Sequence, residues 1–216
     1  MKNTPFLKNS LLFSTKDHPG YISTISFVDI SNCNLACIDC HNMHSCKQNY
    51  DKHFYKREDF LENLENSVLL GTSEIFIISG GEPTLHTPKL VEELVEIKNR
   101  FPDLKIRIDT NGQRPKDVFQ LKGYVDGFGV DIKIPIKEKY TPEEIERFRK
   151  ILGIKFINQY KNKLLKTISI VDDMPFTVFR TVRYNYLTEE DINSIETFCK
   201  TLKCEHFWNN FTEFKE

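Results

Sequence analysis

What the 216-residue chain lacks narrows it first. It has no excess charge of either sign: 30 basic residues stand against 31 acidic ones. There is therefore no general electrostatic pull toward nucleic acid or an acidic membrane. It has no apolar run long enough to span a bilayer. Its opening residues, "MKNTPFLKNSLLFSTKD", are too broken by polar side chains for a signal peptide, so a cytoplasmic location is expected. Repeats, low-complexity segments and linkers are missing, and the length suits one domain over residues 1–216. In a reducing compartment the six cysteines have no structural disulfides to make, so the clustered ones need another reason.

What is there is a core and an alternation. Apolar residues make up 39% of the chain and include 17 phenylalanines. Short β-branched and aromatic runs read as strands at 23–30, 74–81, 105–112, 127–134, 177–183 and 205–211. Helical spacing appears between them at Phe60, Leu61, Leu64 and Val68, and again at Leu90, Val91, Leu94 and Val95. It returns at Ile145, Phe148 and Leu152, and at Ile192, Ile195, Cys199 and Leu202. Thr141, Pro142 and Glu144 look like a helix start: N-cap, proline at N1 and a capping-box acid. Alternating strand and helix predicts parallel βα units in an α/β fold. Eight units would close a barrel of about 250 residues. This chain has room for about six, so a partial, open (β/α)6 TIM-like barrel is expected. The polar stretch 44–58 reads as a loop.

The chemistry collects after the strands, where parallel βα folds place their working loops. Cys33, Cys37 and Cys40 follow the first strand. Three thiolates are too few to close a structural zinc site. They suffice for three irons of a 4Fe-4S cube, with the fourth iron left for an exogenous ligand. Zinc with His41, His44 or Cys46 as a fourth ligand is the alternative, since the spacing supports both. Gly80 and Gly81 would let backbone approach a ligand closely, and Glu82 offers a carboxylate to an ammonium group. Alone, that segment also reads as an ordinary turn with a solvated glutamate. Asp109 and Asp131 end apolar strands and need a cation or donors to offset burial. Lys133 points to the same side as Asp131, which equally fits a structural pair. Arg180 lies in the fifth strand.

On Cys33-x3-Cys37-x2-Cys40 and Gly80-Gly81-Glu82-Pro83 the chain resembles radical S-adenosylmethionine (SAM) enzymes. It is especially similar to glycyl-radical-enzyme activating enzymes of the anaerobic ribonucleotide reductase type. "DHPG" (17–20), "CHN" (40–42), "DTNG" (109–112), "VDIK" (130–133) and "FRT" (179–181) carry that closer likeness, from about Thr15 to about Ile195. Asp39 stands where the family often has an aromatic residue, and Asn32 where it commonly has glycine. No added ferredoxin-like cysteine domain is present, which is similar to the compact form of the family.

The resemblance implies that Cys33, Cys37 and Cys40 hold a 4Fe-4S cluster, and that Cys46, Cys199 and Cys204 do not. SAM would chelate the fourth iron through its amino nitrogen and carboxylate. Glu82 and the backbone near Gly80 and Gly81 would receive the ammonium. Asp109, Thr110, Asp131 and Lys133 would order the methionine carboxylate and ribose, and the two aspartates can also help hold a monovalent cation. Arg180 would add positive charge near the carboxylate, and backbone around His41 would touch adenine. The implied chemistry is one-electron reductive cleavage of SAM, giving a 5′-deoxyadenosyl radical that takes a hydrogen atom from a glycine of a partner. The implied partners are a glycyl-radical enzyme, anaerobic ribonucleotide reductase first, and a low-potential donor such as flavodoxin or ferredoxin. Two other readings are a radical SAM enzyme acting on a small molecule, in the manner of 7-carboxy-7-deazaguanine synthase, and a noncatalytic zinc or iron–sulfur module. The open side would admit a partner's loop. There Phe207, Asn209 and Phe211 would face one way, with Trp208, Asn210 and Thr212 facing the other.

Overall fold

The computed structural model describes residues 3–8, 10–40, 42, 53–71 and 73–210. Its main element is a seven-stranded sheet built of β2 (Leu12–Ser14), β3 (Ser23–Phe27), β5 (Ile75–Ser79), β6 (Lys105–Thr110), β7 (Gly127–Asp131), β8 (Val178–Arg183) and β9 (His206–Asn210). The strands lie in that order. β2 pairs antiparallel with β3, and every later neighbour pair is parallel. The sheet curls into a half-barrel. All six strands expected from sequence are present.

Helices α1 (Arg57–Leu69), α2 (Thr87–Arg100), α3 (Pro115–Leu121), α4 (Pro142–Leu152), α5 (Ile157–Val171) and α6 (Glu189–Cys199) fill the crossovers. Leu90, Leu94 and Ile97 bury one stripe of α2, as their spacing predicts. The capping box at Thr141 and Glu144 forms in full. A second, at Thr188 and Asp191, starts α6. Two helices, α4 and α5, stand between β7 and β8; α5 escaped the sequence reading, although Tyr160, Leu164, Ile168 and Val171 bury its stripe.

Strands β1 (Asn3–Leu7) and β4 (Phe54–Lys56) correct the reading of 44–58 as a loop. They pair antiparallel as a small separate sheet. Its reason is aromatic burial: Phe6 stacks on Phe60 at 4.3 Å and meets Phe76 edge-on at 5.9 Å. Residues 44–52 of the segment, Cys46 among them, lie outside the described residues. No helix among the described residues is long and apolar enough to cross a membrane.

The two faces of the sheet differ. Outward residues such as Ile78, Ile108, Val130 and Phe179 join the helix layer in the main core. The inward face has a small apolar cluster of Ile25, Ile75 and Ile77, against which Phe176 packs. The "DHPG" segment caps this end. His18 stacks on Phe176 at 5.7 Å, and Tyr21 meets the same ring at 5.3 Å. Further along the strands the inward face becomes polar, and there the site lies.

Candidate active site at the C-terminal rim

The cysteine loop is fixed from three sides. Ala36 and Ile38 donate their backbone N–H groups to the carbonyls of Leu152 and Ile151, at 3.1 and 3.2 Å. The last turn of α4 therefore spends its free carbonyls on the loop. Gly153 ends that helix with φ +64°, and a Cβ there would run into the Ala36 carbonyl. On the second side, Glu82 donates its N–H to the Asn32 carbonyl at 2.9 Å. A Cβ on Gly81 would strike that same carbonyl, so the double glycine allows the two rim segments to touch. On the third side, Asn111 donates its Nδ2 to Asn34 Oδ1 at 2.7 Å and to Cys33 Sγ at 3.6 Å.

Glu82 is the hub of this rim. It is 1% exposed, which overturns the solvated-turn alternative for the glycine segment. Oε1 accepts from Thr84 N at 3.2 Å, Thr84 Oγ1 at 2.5 Å and Thr110 Oγ1 at 2.7 Å. Oε2 accepts from Asn111 N at 2.8 Å. Four donors match the capacity of one carboxylate. Burial still pushes its carboxyl above the usual range, against those bonds. The carboxylate expected to meet an ammonium thus first joins three segments of its own chain.

A file of alternating charges runs up the inner face. Arg107 Nε donates to Asp109 Oδ1 at 3.1 Å, and Arg180 Nη1 to Asp109 Oδ2 at 3.0 Å. Arg180 Nη2 reaches Asp131 Oδ1 at 3.1 Å, and Lys133 Nζ reaches Asp131 Oδ2 at 2.9 Å. The cation that the two strand-end carboxylates require is supplied by Arg180, with Lys133 beside it. Burial works to raise the pKa of Asp131, but Lys133 and Arg180 overcome it and hold the carboxyl below its ordinary value. Burial opposes the charge on Lys133 as well, yet Asp131 drives its pKa well up. At the lower end, Arg107 is fully buried and donates Nη1 to the Asp17 carbonyl at 2.7 Å, with His18 Nδ1 2.9 Å away. The "DHPG" segment is therefore tied to the charge file and not to the rim.

One cavity joins these parts: Cys33, Cys37 and Cys40, then Gly80 to Pro83, Asp109 to Asn111, Asp131 and Lys133, and Arg180 with Val182 and Tyr184. Every candidate residue expected from sequence lines it except His41, which lies outside the described residues. Sequence reasoning passed over Asn111, Arg107 and Tyr184. Asn111 stood inside the quoted "DTNG", and Arg107 is two residues from Asp109 on the same strand face, so both had a signal.

The donor set fits an iron–sulfur cube. The three cysteines are free and partly exposed to the cavity. Burial raises the Cys33 thiol, and pushes the Cys37 thiol up to about 11, with Lys133 pulling both back toward the thiolate. Among the described residues no three His, Cys, Asp or Glu side chains converge on one metal ion. Thiolates that each take a different iron have no need to converge. Arg180, Lys133 and the two aspartates beside them offer both signs of charge to a zwitterionic amino acid end, which fits SAM.

The comparisons with known proteins agree with that chemistry. The solved structure of anSMEcpe with bound AdoMet superposes with a TM-score of 0.58 at 21% identity, over 88% of this chain and 50% of that one. The FeFe-hydrogenase maturase HydG from Carboxydothermus hydrogenoformans gives a TM-score of 0.57 at 14% identity, over 85% and 42%. This chain spans about half the length of those structures, and at such identity they speak for the fold alone. A Methanocaldococcus jannaschii protein named "putative glycyl-radical enzyme activating enzyme" is 30% identical over 194 residues, covering 88% of this chain and 72% of its own. The model of the Radical SAM superfamily matches residues 27–202, from the end of β3 to just past α6. The three cysteines, the glycine-glutamate rim and strands β5 to β8 all lie within that match, and the chain belongs to the radical SAM superfamily.

Proposed function

We propose that this radical SAM enzyme is a glycyl-radical-enzyme activating enzyme, of the kind that serves anaerobic ribonucleotide reductase, with residues 1–216 acting as one domain. The observation that carries the activase reading is the Methanocaldococcus jannaschii relative, whose similarity runs through 88% of this chain. The ribonucleotide reductase assignment rests on the "DHPG", "CHN" and "DTNG" segments. When bound, the cluster and SAM supply one-electron reductive cleavage and a carbon radical able to take a hydrogen atom.

The chain's own residues then have separate tasks. Cys33, Cys37 and Cys40 hold the cluster. The backbone of Gly80 and Gly81, with Glu82 behind it, shapes the place for the ammonium. Arg180 and Lys133 balance a carboxylate, and Asp109, Thr110 and Asp131 fix those cations and the ribose side. The half-barrel leaves β9 as its last described strand. Phe207 and Asn209 pair in register with Arg180 and Val182, so they share the cavity's side of the sheet. A partner's glycine loop entering there would pass over Phe207.

The test is anaerobic incubation of the reconstituted protein, SAM and a strong reductant with candidate glycyl-radical enzymes. A glycyl doublet in the electron paramagnetic resonance (EPR) spectrum is expected with ribonucleotide reductase. SAM cleavage without a protein radical on any candidate would sink the activase reading and leave the superfamily assignment in place.

A further inference from the structure

We infer that Asn111 sets the reduction potential of the cluster through a hydrogen bond to Cys33. The inference rests on the reading of Cys33, Cys37 and Cys40 as the cluster's ligands. Asn111 is 5% exposed, and its backbone N–H and both ends of its side-chain amide are hydrogen-bonded. Its Oδ1 accepts from Gln113 N at 3.0 Å. That bond decides which end of the amide faces the sulfur, because the oxygen is held by a backbone donor. Nδ2 then donates to Asn34 Oδ1 at 2.7 Å, which steadies it, and to Cys33 Sγ at 3.6 Å. The backbone N–H of Asn111 is tied to Glu82 Oε2. The amide is thus fixed at both ends by the chain itself.

Leu35 N also donates to Cys33 Sγ, at 3.5 Å. Among the described residues the sulfurs of Cys37 and Cys40 receive no such donor. Cys33 thus receives two N–H donors, which stabilise the added negative charge of a reduced cluster at that sulfur. An N–H donor on a ligand sulfur favours the more negative state and raises the potential. Asn111 does this through a side chain, so the effect can be removed by substitution, whereas that of Leu35 cannot. The second task of the "DTNG" segment, beyond Asp109 and Thr110, is then electronic.

Asn111→Asp is the informative variant. It is isosteric, its carboxylate keeps the bond from Gln113 N, and its backbone bond to Glu82 is untouched. It removes the donor and brings negative charge to the sulfur. Asn111→Ser is the second variant: its hydroxyl sits one bond nearer the backbone and falls short of the sulfur, so the donor is withdrawn without adding charge. The measurement is an EPR-monitored redox titration of the full chain, reconstituted anaerobically with iron and sulfide. Both variants should bind the cluster with a lower midpoint potential than wild type, Asp lower than Ser. A tenfold change in the oxidised-to-reduced ratio at fixed poise is expected for Asp, or about 59 mV for one electron. Equal potentials in wild type and in either variant that assembles a cluster would overturn the inference. So would loss of cluster from both variants, which would make Asn111 a structural support. Failure of the underlying ligand reading looks different: wild type itself would form no cluster, or Cys33→Ala would keep one.

Discussion

Single residues divide into proposed ligands, a buried hub and core members. Each of Cys33→Ala, Cys37→Ala and Cys40→Ala should abolish cluster absorption and iron uptake. Cys199→Ala and Cys204→Ala should retain both, because Cys199 is a buried member of the main core and Cys204 packs at its margin. Iron analysis and visible spectra after reconstitution check this, and a full iron complement in Cys33→Ala would be fatal to the assignment. Glu82→Ala should weaken SAM binding while the cluster still assembles. It also strands the hydroxyl and backbone donors of Thr84, Thr110 and Asn111, each a cost of about 1–3 kcal/mol if water does not replace the carboxylate. A melting temperature lowered by about 5–10 °C should therefore accompany the loss of SAM affinity. His18 makes a pH prediction. Burial first, and Arg107 second, hold its pKa down near 4, against an ordinary 6.5. The folded protein thus keeps His18 neutral where the unfolded chain takes a proton. Its contribution is present above pH 6.5 and is lost as pH falls toward 4, about 3 kcal/mol at most. Chemical denaturation across that window should show a shallower decline in His18→Gln, which can still accept from Arg107.

Among the elements, α4 matters beyond its own packing. Its capped start was readable at Thr141, but its far end turned out to hold the cysteine loop through Leu152 and Ile151. Gly153→Ala combines a left-handed backbone with a Cβ in the place of the Ala36 carbonyl. It should lower cluster occupancy severalfold with α4 still formed, as read by iron content against far-ultraviolet circular dichroism. Unchanged loading would mean the loop does not depend on this contact. Strands β1 and β4 show why a polar sequence can hide an ordered element: β4 is three residues long, and its partner β1 lies some fifty residues earlier. No local pattern reports a pairing at that distance.

At the scale of the whole molecule, the open side of the half-barrel sorts its aromatics. Trp208 packs against the main core, with the Arg183 guanidinium 4.7 Å from its ring centre. Phe207 is on the cavity's side of the same strand. Trp208→Ala should then cost about 2 kcal/mol of stability and lower every activity together, which favours the core role over docking. Phe207→Ala should reduce radical formation on the partner far more than uncoupled SAM cleavage. Equal losses in Phe207→Ala, with a matching fall in melting temperature, would remove Phe207 from the docking surface. Phe211, Thr212 and Phe214 lie outside the described residues.

The sequence by itself determined the six parallel strands, the cysteine triplet and the acids at the strand ends. These are local signals: short β-branched and aromatic runs, cysteine spacing and residues set just past apolar runs. It also determined the side of Lys133, since two residues along a strand share a face. The tertiary structure decided the partners. Whether Glu82 was solvated or buried depended on Thr110 and Asn111 arriving from β6 and the turn after it. Whether Arg180 paired with Asp109, Asp131 or both depended on the register of β7 and β8 and on the curl that brings β6 within reach. The cysteine loop's footing on α4 joins residues more than one hundred positions apart. Hydrogen bonds and ion pairs act over about 3 Å, while sequence patterns describe one element at a time. Only the folded chain brings such groups within that distance.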